Sequence, residues 1–189
     1  MKKMLLILFI FILVFMIYYL NLDRKVYVLS IGDNTFFNDK YKKNIDNYLG
    51  KKLENNVIFS NDGDYRIIDL LNDIKDNKKF NFKDNEYTIN NSLIKADIIF
   101  ISIGMNELRF NNNNYDYVDE VIKDLDEVLK LVRKLCKEKI YIFNFYNLGC
   151  DELNHYVNNR LEKIVSRYNI DIIDIINIDK NFKKILLFK

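Results

Sequence analysis

Two rhythms of hydrophobic and polar positions run along this chain, one suited to strands and one to helices. Short runs that are apolar on both faces occupy residues 26–31, 57–59, 97–103, 140–145 and 170–175. Strands of a parallel sheet covered on both sides have that signature. Between these runs the apolar positions return every three or four residues. Ile45, Leu49 and Leu53 share a face in 41–53, and Ile67, Leu70, Leu71 and Ile74 do so in 66–74. Residues 88–95 read as another short helical piece. The clearest stripe lies in 118–137, from Val121 through Leu125, Val128 and Val132 to Leu135, with Asp124, Lys130 and Lys134 opposite. Residues 153–168 repeat the pattern with Tyr156, Val157, Leu161, Ile164 and Val165 inward. Five strands joined by helical crossovers predict an α/β fold, a doubly wound parallel five-stranded sheet with right-handed connections.

A different element precedes the first strand. Residues 4–20 are an unbroken apolar run of 17, led by Lys2 and Lys3 and closed by Tyr18 and Tyr19. At ~1.5 Å per residue a helix of this length covers about 26 Å, close to the roughly 30 Å hydrocarbon layer. The tyrosines suit the headgroup belt. A cleaved signal peptide would want a shorter apolar core and a small-x-small site, yet no Ala, Gly or Ser occurs between Met1 and Val28. The segment also lacks the Cys of a lipoprotein anchor. The expectation is an N-terminal transmembrane helix, an uncleaved signal anchor over residues 1–22. Lys2, Lys3 and the amino terminus outweigh Asp23, Arg24 and Lys25, which keeps the amino end inside. Residues 25–189 then form one domain on the extracytoplasmic face of the cell membrane, with the membrane itself as a partner.

Composition narrows the chemistry. A net charge of +2 without a basic stripe argues against nucleic acid. Cys136 and Cys150 fit neither a disulfide framework nor a zinc site, so no metal is expected. No Gly-rich phosphate loop supports a nucleotide or flavin, and no cofactor is expected. The chain has no Pro or Trp and is rich in Asn, Lys and Ile, a bias of AT-rich bacterial coding. Isolated asparagines are therefore weak functional markers.

Two strand ends carry unusual residues: Gly32-Asp33-Asn34 after the first strand and Gly104-Met105-Asn106-Glu107 after the third. An open sheet places its site beyond the carboxyl ends, where the strand order reverses. In the order 2-1-3-4-5 these two strands are neighbours at that point.

At these residues the chain resembles the SGNH/GDSL hydrolases, a family of esterases and lipases. The resemblance spans about residues 25–175 and is most specific in IFISIGMNEL, residues 99–108. It implies a three-layer, flavodoxin-like fold and an acyl-transfer site. Asp33 belongs to the nucleophile turn, and Asn34 occupies the position of the family's serine. Gly63, in Ser60-Asn61-Asp62-Gly63, corresponds to the glycine whose amide donates to the oxyanion hole, and Asn106 to the side-chain donor. These groups are expected to converge within roughly 6 Å of the Asn34 side chain.

The family's chemistry is not fully equipped here. A carboxamide has no ionisable oxygen nucleophile. Ser30 is expected to point into the sheet, and Thr35 lies one residue too far along the turn. The family's Asp-x-x-His after the fifth strand has no counterpart: the residues after Ile175 contain Asp179 but no His. His155, the single histidine, falls four residues after Asp151 on one helical face, the spacing of a surface ion pair. Loss of nucleophile and base together removes on the order of 10⁶ in rate. The expected function is a membrane-anchored, catalytically degenerate domain that binds an acylated lipid or cell-wall glycan. The alternative is an active esterase or acyl hydrolase that uses rearranged residues or whose carboxyl-terminal element is truncated. A weaker third reading is a flavodoxin-like binding domain related only by architecture.

Overall fold

A computed structural model describes residues 7, 9–16, 26–33, 53–61, 65–109, 114–146 and 148–174. Strand β1 (Val26–Asp33) runs parallel between β2 (Leu53–Asn61) and β5 (Ile98–Ser102), and β6 (Lys139–Phe143) and β7 (Asp171–Ile173) continue the sheet. The order is β2-β1-β5-β6-β7. Counted over the parallel strands alone this reads 2-1-3-4-5. The chain-order numbers differ from that expectation because an antiparallel hairpin intervenes, β3 (Lys79–Phe82) with β4 (Asn85–Thr88).

The sequence reading did not anticipate that hairpin. Its strands are four residues long, with Lys83 in the left-handed region at the turn (φ 51°). Phe80 anchors it, edge-on to Phe59 of β2 at 4.8 Å and stacked on Tyr87 at 5.5 Å between ring centroids. The hairpin thus lies against the edge strand of the main sheet.

Five helices complete the described domain: α1 (Ile67–Lys75), α2 (Ile89–Lys95), α3 (Met105–Arg109), α4 (Tyr115–Leu135) and α5 (Asp151–Tyr168). The stripes read from the sequence are the buried faces of α1, α4 and α5. Asn114 starts α4 by accepting from the backbone N–H of Asp116 (3.1 Å) and Tyr117 (3.3 Å), which satisfies donors the helix cannot pair internally. These helices share one apolar core with Leu29, Ile31, Ile99, Ile101, Ile140 and Ile142. Alternate sheet residues face the other way, and Val28, Ser30, Phe100, Tyr141 and Phe143 are buried there as well. A strand set buried on both faces accounts for the apolar runs.

Register is pinned at the start of β1 and β5. The Tyr27 N–H donates to Asp97 Oδ2 (3.0 Å), and the Asp97 N–H donates to the Tyr27 carbonyl (2.9 Å). At this same end of the sheet Arg133 of α4 ties down two other elements. Its guanidinium donates to the carbonyls of Tyr168 (2.8 Å), Asn169 (2.7 Å), Glu138 (2.9 Å) and Cys136 (3.2 Å).

Several boundaries shift from expectation. Leu53 opens β2, paired with Val26, rather than closing a helix over 41–53; residues 41–52 lie outside the described residues. β2 is accordingly longer than 57–59. α3 is an additional short helix directly after Gly104. Cys136 is a buried free thiol at the C-cap of α4, just past the helix end rather than within the expected 118–137 stripe.

Among the described residues no helix is long and apolar enough to cross a membrane. Residues 9–16 are helical, and their apolar side chains stand exposed, from 48% for Leu13 to 74% for Phe11. Apart from these and Ile7, the expected anchor 1–22 lies outside the described residues.

Candidate functional site

The register brings the three motif-bearing strand ends to one rim. Gly32 pairs with Ser60 on one side and with Ser102 on the other, and Asp33 pairs with Asn61. Hydrogen-bonded strands lie ~4.8 Å apart. The chain therefore leaves β1 toward Asn34 between the exits of β2, toward Asp62-Gly63, and of β5, toward Gly104-Met105-Asn106. This is the reversal point of the strand order.

The turn after β5 is held by two specific fits. Gly104 has φ +89°, and a Cβ there would lie 2.6 Å from Ile67 Cδ1 and 3.5 Å from Phe145 Cε1. The dihedral requires glycine, and the Ile67 side chain packs where a Cβ would stand. Three residues later Glu107 reaches across to α1, where its Oε2 accepts the Ile67 N–H at 3.0 Å. That N–H opens a helix and has no intrahelical partner. Burial raises the Glu107 carboxyl above its usual range, opposed by the Ile67 N–H and the Arg66 guanidinium, while Asp124 and Asp69 add to the rise. The Tyr117 phenol is likewise raised, by burial first and then by the charge of Glu107. Glu107 thus joins the strand-end turn to the start of α1 and acts electrostatically on the first turn of α4.

Of the expected site residues, Asp33 closes β1 and Asn106 is the second residue of α3. Asn34 and Gly63 lie outside the described residues, as do Thr35 and Asp179, and the expected convergence on Asn34 falls there with them. Ser30 is fully buried in the sheet, as its strand position predicted. Asp151 and His155 are both exposed on α5. The expected ion pair between them is not formed among the described residues, in keeping with the small gain such a pair offers in water.

A second feature borders this rim. An open cleft of about 490 Å³ lies between the end of β6 and the start of α5. Asn158 braces its wall: its Oδ1 accepts the Phe145 N–H (2.9 Å), and its Nδ2 donates to the carbonyls of Phe145 and Asn154 (both 2.8 Å). Asn154 Oδ1 accepts the Leu148 N–H at 3.0 Å. Phe145 lines the cleft and also packs against the Gly104 turn, so cleft and turn are contiguous. Sequence reasoning missed these asparagines because the composition makes Asn commonplace. Their one signal was an i, i+4 pair in the first turns of a helix.

No protein-family model matches the sequence, and no curated protein matches it. Solved structures do. The lipase Lip_vut3 from a goat rumen metagenome superposes with a TM-score of 0.56 at 15% identity, over 79% of this chain and 80% of the lipase. A member of the lipolytic protein G-D-S-L family from Veillonella parvula DSM 2008 gives 0.50 at 16% identity, over 86% and 83%. This chain has the fold of those lipolytic proteins, the fold implied by its strand-end motifs.

Proposed function

We propose that this chain is a membrane-anchored, extracytoplasmic SGNH-type domain that binds an acylated lipid or glycan and does not hydrolyse it. The observation that carries the reading is Asn34, directly after Gly32-Asp33 at the strand end where this fold's esterases need a hydroxyl. The β1 exit still stands between those of β2 and β5, while a carboxamide cannot attack an ester carbonyl. The single histidine stands exposed on α5, and no histidine follows β7 in the sequence to serve as the base. Binding without turnover needs only the rim and a recess beside it, and both are present. The anchor is supported by residues 9–16, apolar all round and without burial against the domain, as a membrane-embedded helix requires.

The test is catalytic. The purified full chain in detergent should hydrolyse short-chain aryl esters no faster than buffer and take up no fluorophosphonate label. Asn34→Ser alone should remain slow, because no base is installed with it. Turnover by the wild type, or labelling at Ser30 or Thr35, overturns the reading.

A further inference from the structure

We infer that the cleft between β6 and α5 binds a neutral saccharide, which makes a glycan the ligand of the binding domain proposed above; the inference rests on that reading. Chemistry of the walls decides between sugar and acyl chain. An acyl chain is held by aliphatic side chains, and none lines this cleft among the described residues. Its walls are instead amide, carboxylate, thiol and aromatic: Asn144, Tyr146, Cys150, Asp151 and Asn154, with Phe145 beside them.

Each group has a use toward a pyranose ring. Tyr146 stands 37% exposed and presents an aromatic plane on which the C–H face of a sugar packs, with a hydroxyl at its edge. Asn154 spends its Oδ1 on Leu148, which leaves its Nδ2 as the side chain's donor. The Asp151 carboxylate, exposed at the first position of α5, is an acceptor for hydroxyl groups. Its negative charge, with Asp174 beside Asn144 (3.3 Å), disfavours an anionic ligand. Asn158 is committed to backbone partners, so the wall is braced before any ligand arrives, and little ordering remains to be done on binding. The volume is that of small-ligand sites. Through Phe145 the cleft adjoins the Gly104 turn, so a sugar held here carries an acyl substituent to the rim where Asn34 follows β1.

The experiment titrates isotope-labelled full chain in detergent micelles with the N-acetylglucosamine tetramer, maltotetraose and, separately, methyl hexanoate. Backbone amide shifts and calorimetry are followed. At least one saccharide should shift amides of residues 144–158 saturably, while methyl hexanoate leaves them in place. Tyr146→Ala should weaken the saccharide about 5-fold while Tyr146→Phe stays near wild type, because the ring is what packs. Asn154→Asp keeps an acceptor for Leu148 but exchanges the Nδ2 donor for a charged oxygen, and should also weaken binding about 5-fold. Methyl hexanoate shifting these amides, neither saccharide shifting them, or Tyr146→Ala binding at full strength overturns the inference. Ester hydrolysis by the wild type would instead defeat the non-catalytic reading and leave this titration standing.

Discussion

Glu107 shows what one side chain contributes at the rim. It ends the Gly-x-Asn-acid turn, and the sequence marked it as part of that turn without revealing that its carboxylate caps α1, 40 residues away in the chain. Such a contact has no local pattern. Glu107→Ala strands the Ile67 N–H in a half-buried place and should cost about 1–2 kcal/mol. Glu107→Gln keeps an acceptor and should cost little. The pH dependence separates the two effects. Burial raises the folded carboxyl above its ordinary 4.5, so the folded state binds the proton more tightly than the unfolded chain does. The Glu107 contribution is then fully present below the unfolded value and declines as pH rises through the folded one. In urea titrations at pH 4 and pH 7 the Gln variant should therefore gain on the wild type at the higher pH. A constant difference would contradict the raised value. Gly104, by contrast, was legible: a glycine at the end of a buried strand marks a turn that needs its backbone freedom, and the left-handed φ and the Ile67 contact supply the reason.

At the scale of elements, periodicity carried far. Long stripes such as that of α4 repeat often enough to be unambiguous, and runs apolar on both faces that are too short for a buried helix read as covered strands. The hairpin failed to register because two four-residue strands give the period-two signal only two repeats. Its polar positions are the same Asn, Lys and Asp that fill the loops. Leu53 failed for a related reason: at a boundary one apolar residue fits either period. Arg133 was equally unreadable, since its partners are carbonyls at the ends of other elements. One guanidinium satisfies four of them, gathering the end of α5 and the entry to β6 onto α4. Arg133→Met keeps the apolar stem and should lower stability by roughly 2–3 kcal/mol. Arg133→Lys should recover less than half of that, because an ammonium cannot fork toward separate carbonyls. Chemical denaturation followed by circular dichroism measures both, and equal stability of the Lys variant and wild type would refute the forked-clamp account.

At the scale of the whole molecule, the strand-end motifs and the apolar leader make separate claims. The leader claim is topological. Full-length protein should sediment with membranes, resist extraction by carbonate, and be digested by protease added to wall-less cells. A soluble secreted form beginning near Asn21 would contradict the anchor. The fold was legible as a whole because the strand sequence leaves few arrangements for a doubly wound sheet. The cleft was not, since it is a shape made by backbone bracing and not by residue type. The mutual bonds of Tyr27 and Asp97 carry one more consequence. The partners lie 70 residues apart, so the strand made first, β1, acquires its inner neighbour only after more than half the chain has been synthesised. Pairing so remote in sequence is slow to form, because a long loop must close before any contact rewards it. During that interval an apolar strand waits with an unpaired edge. The nascent domain is thus most prone to aggregate in the time between the appearance of β1 and that of β5.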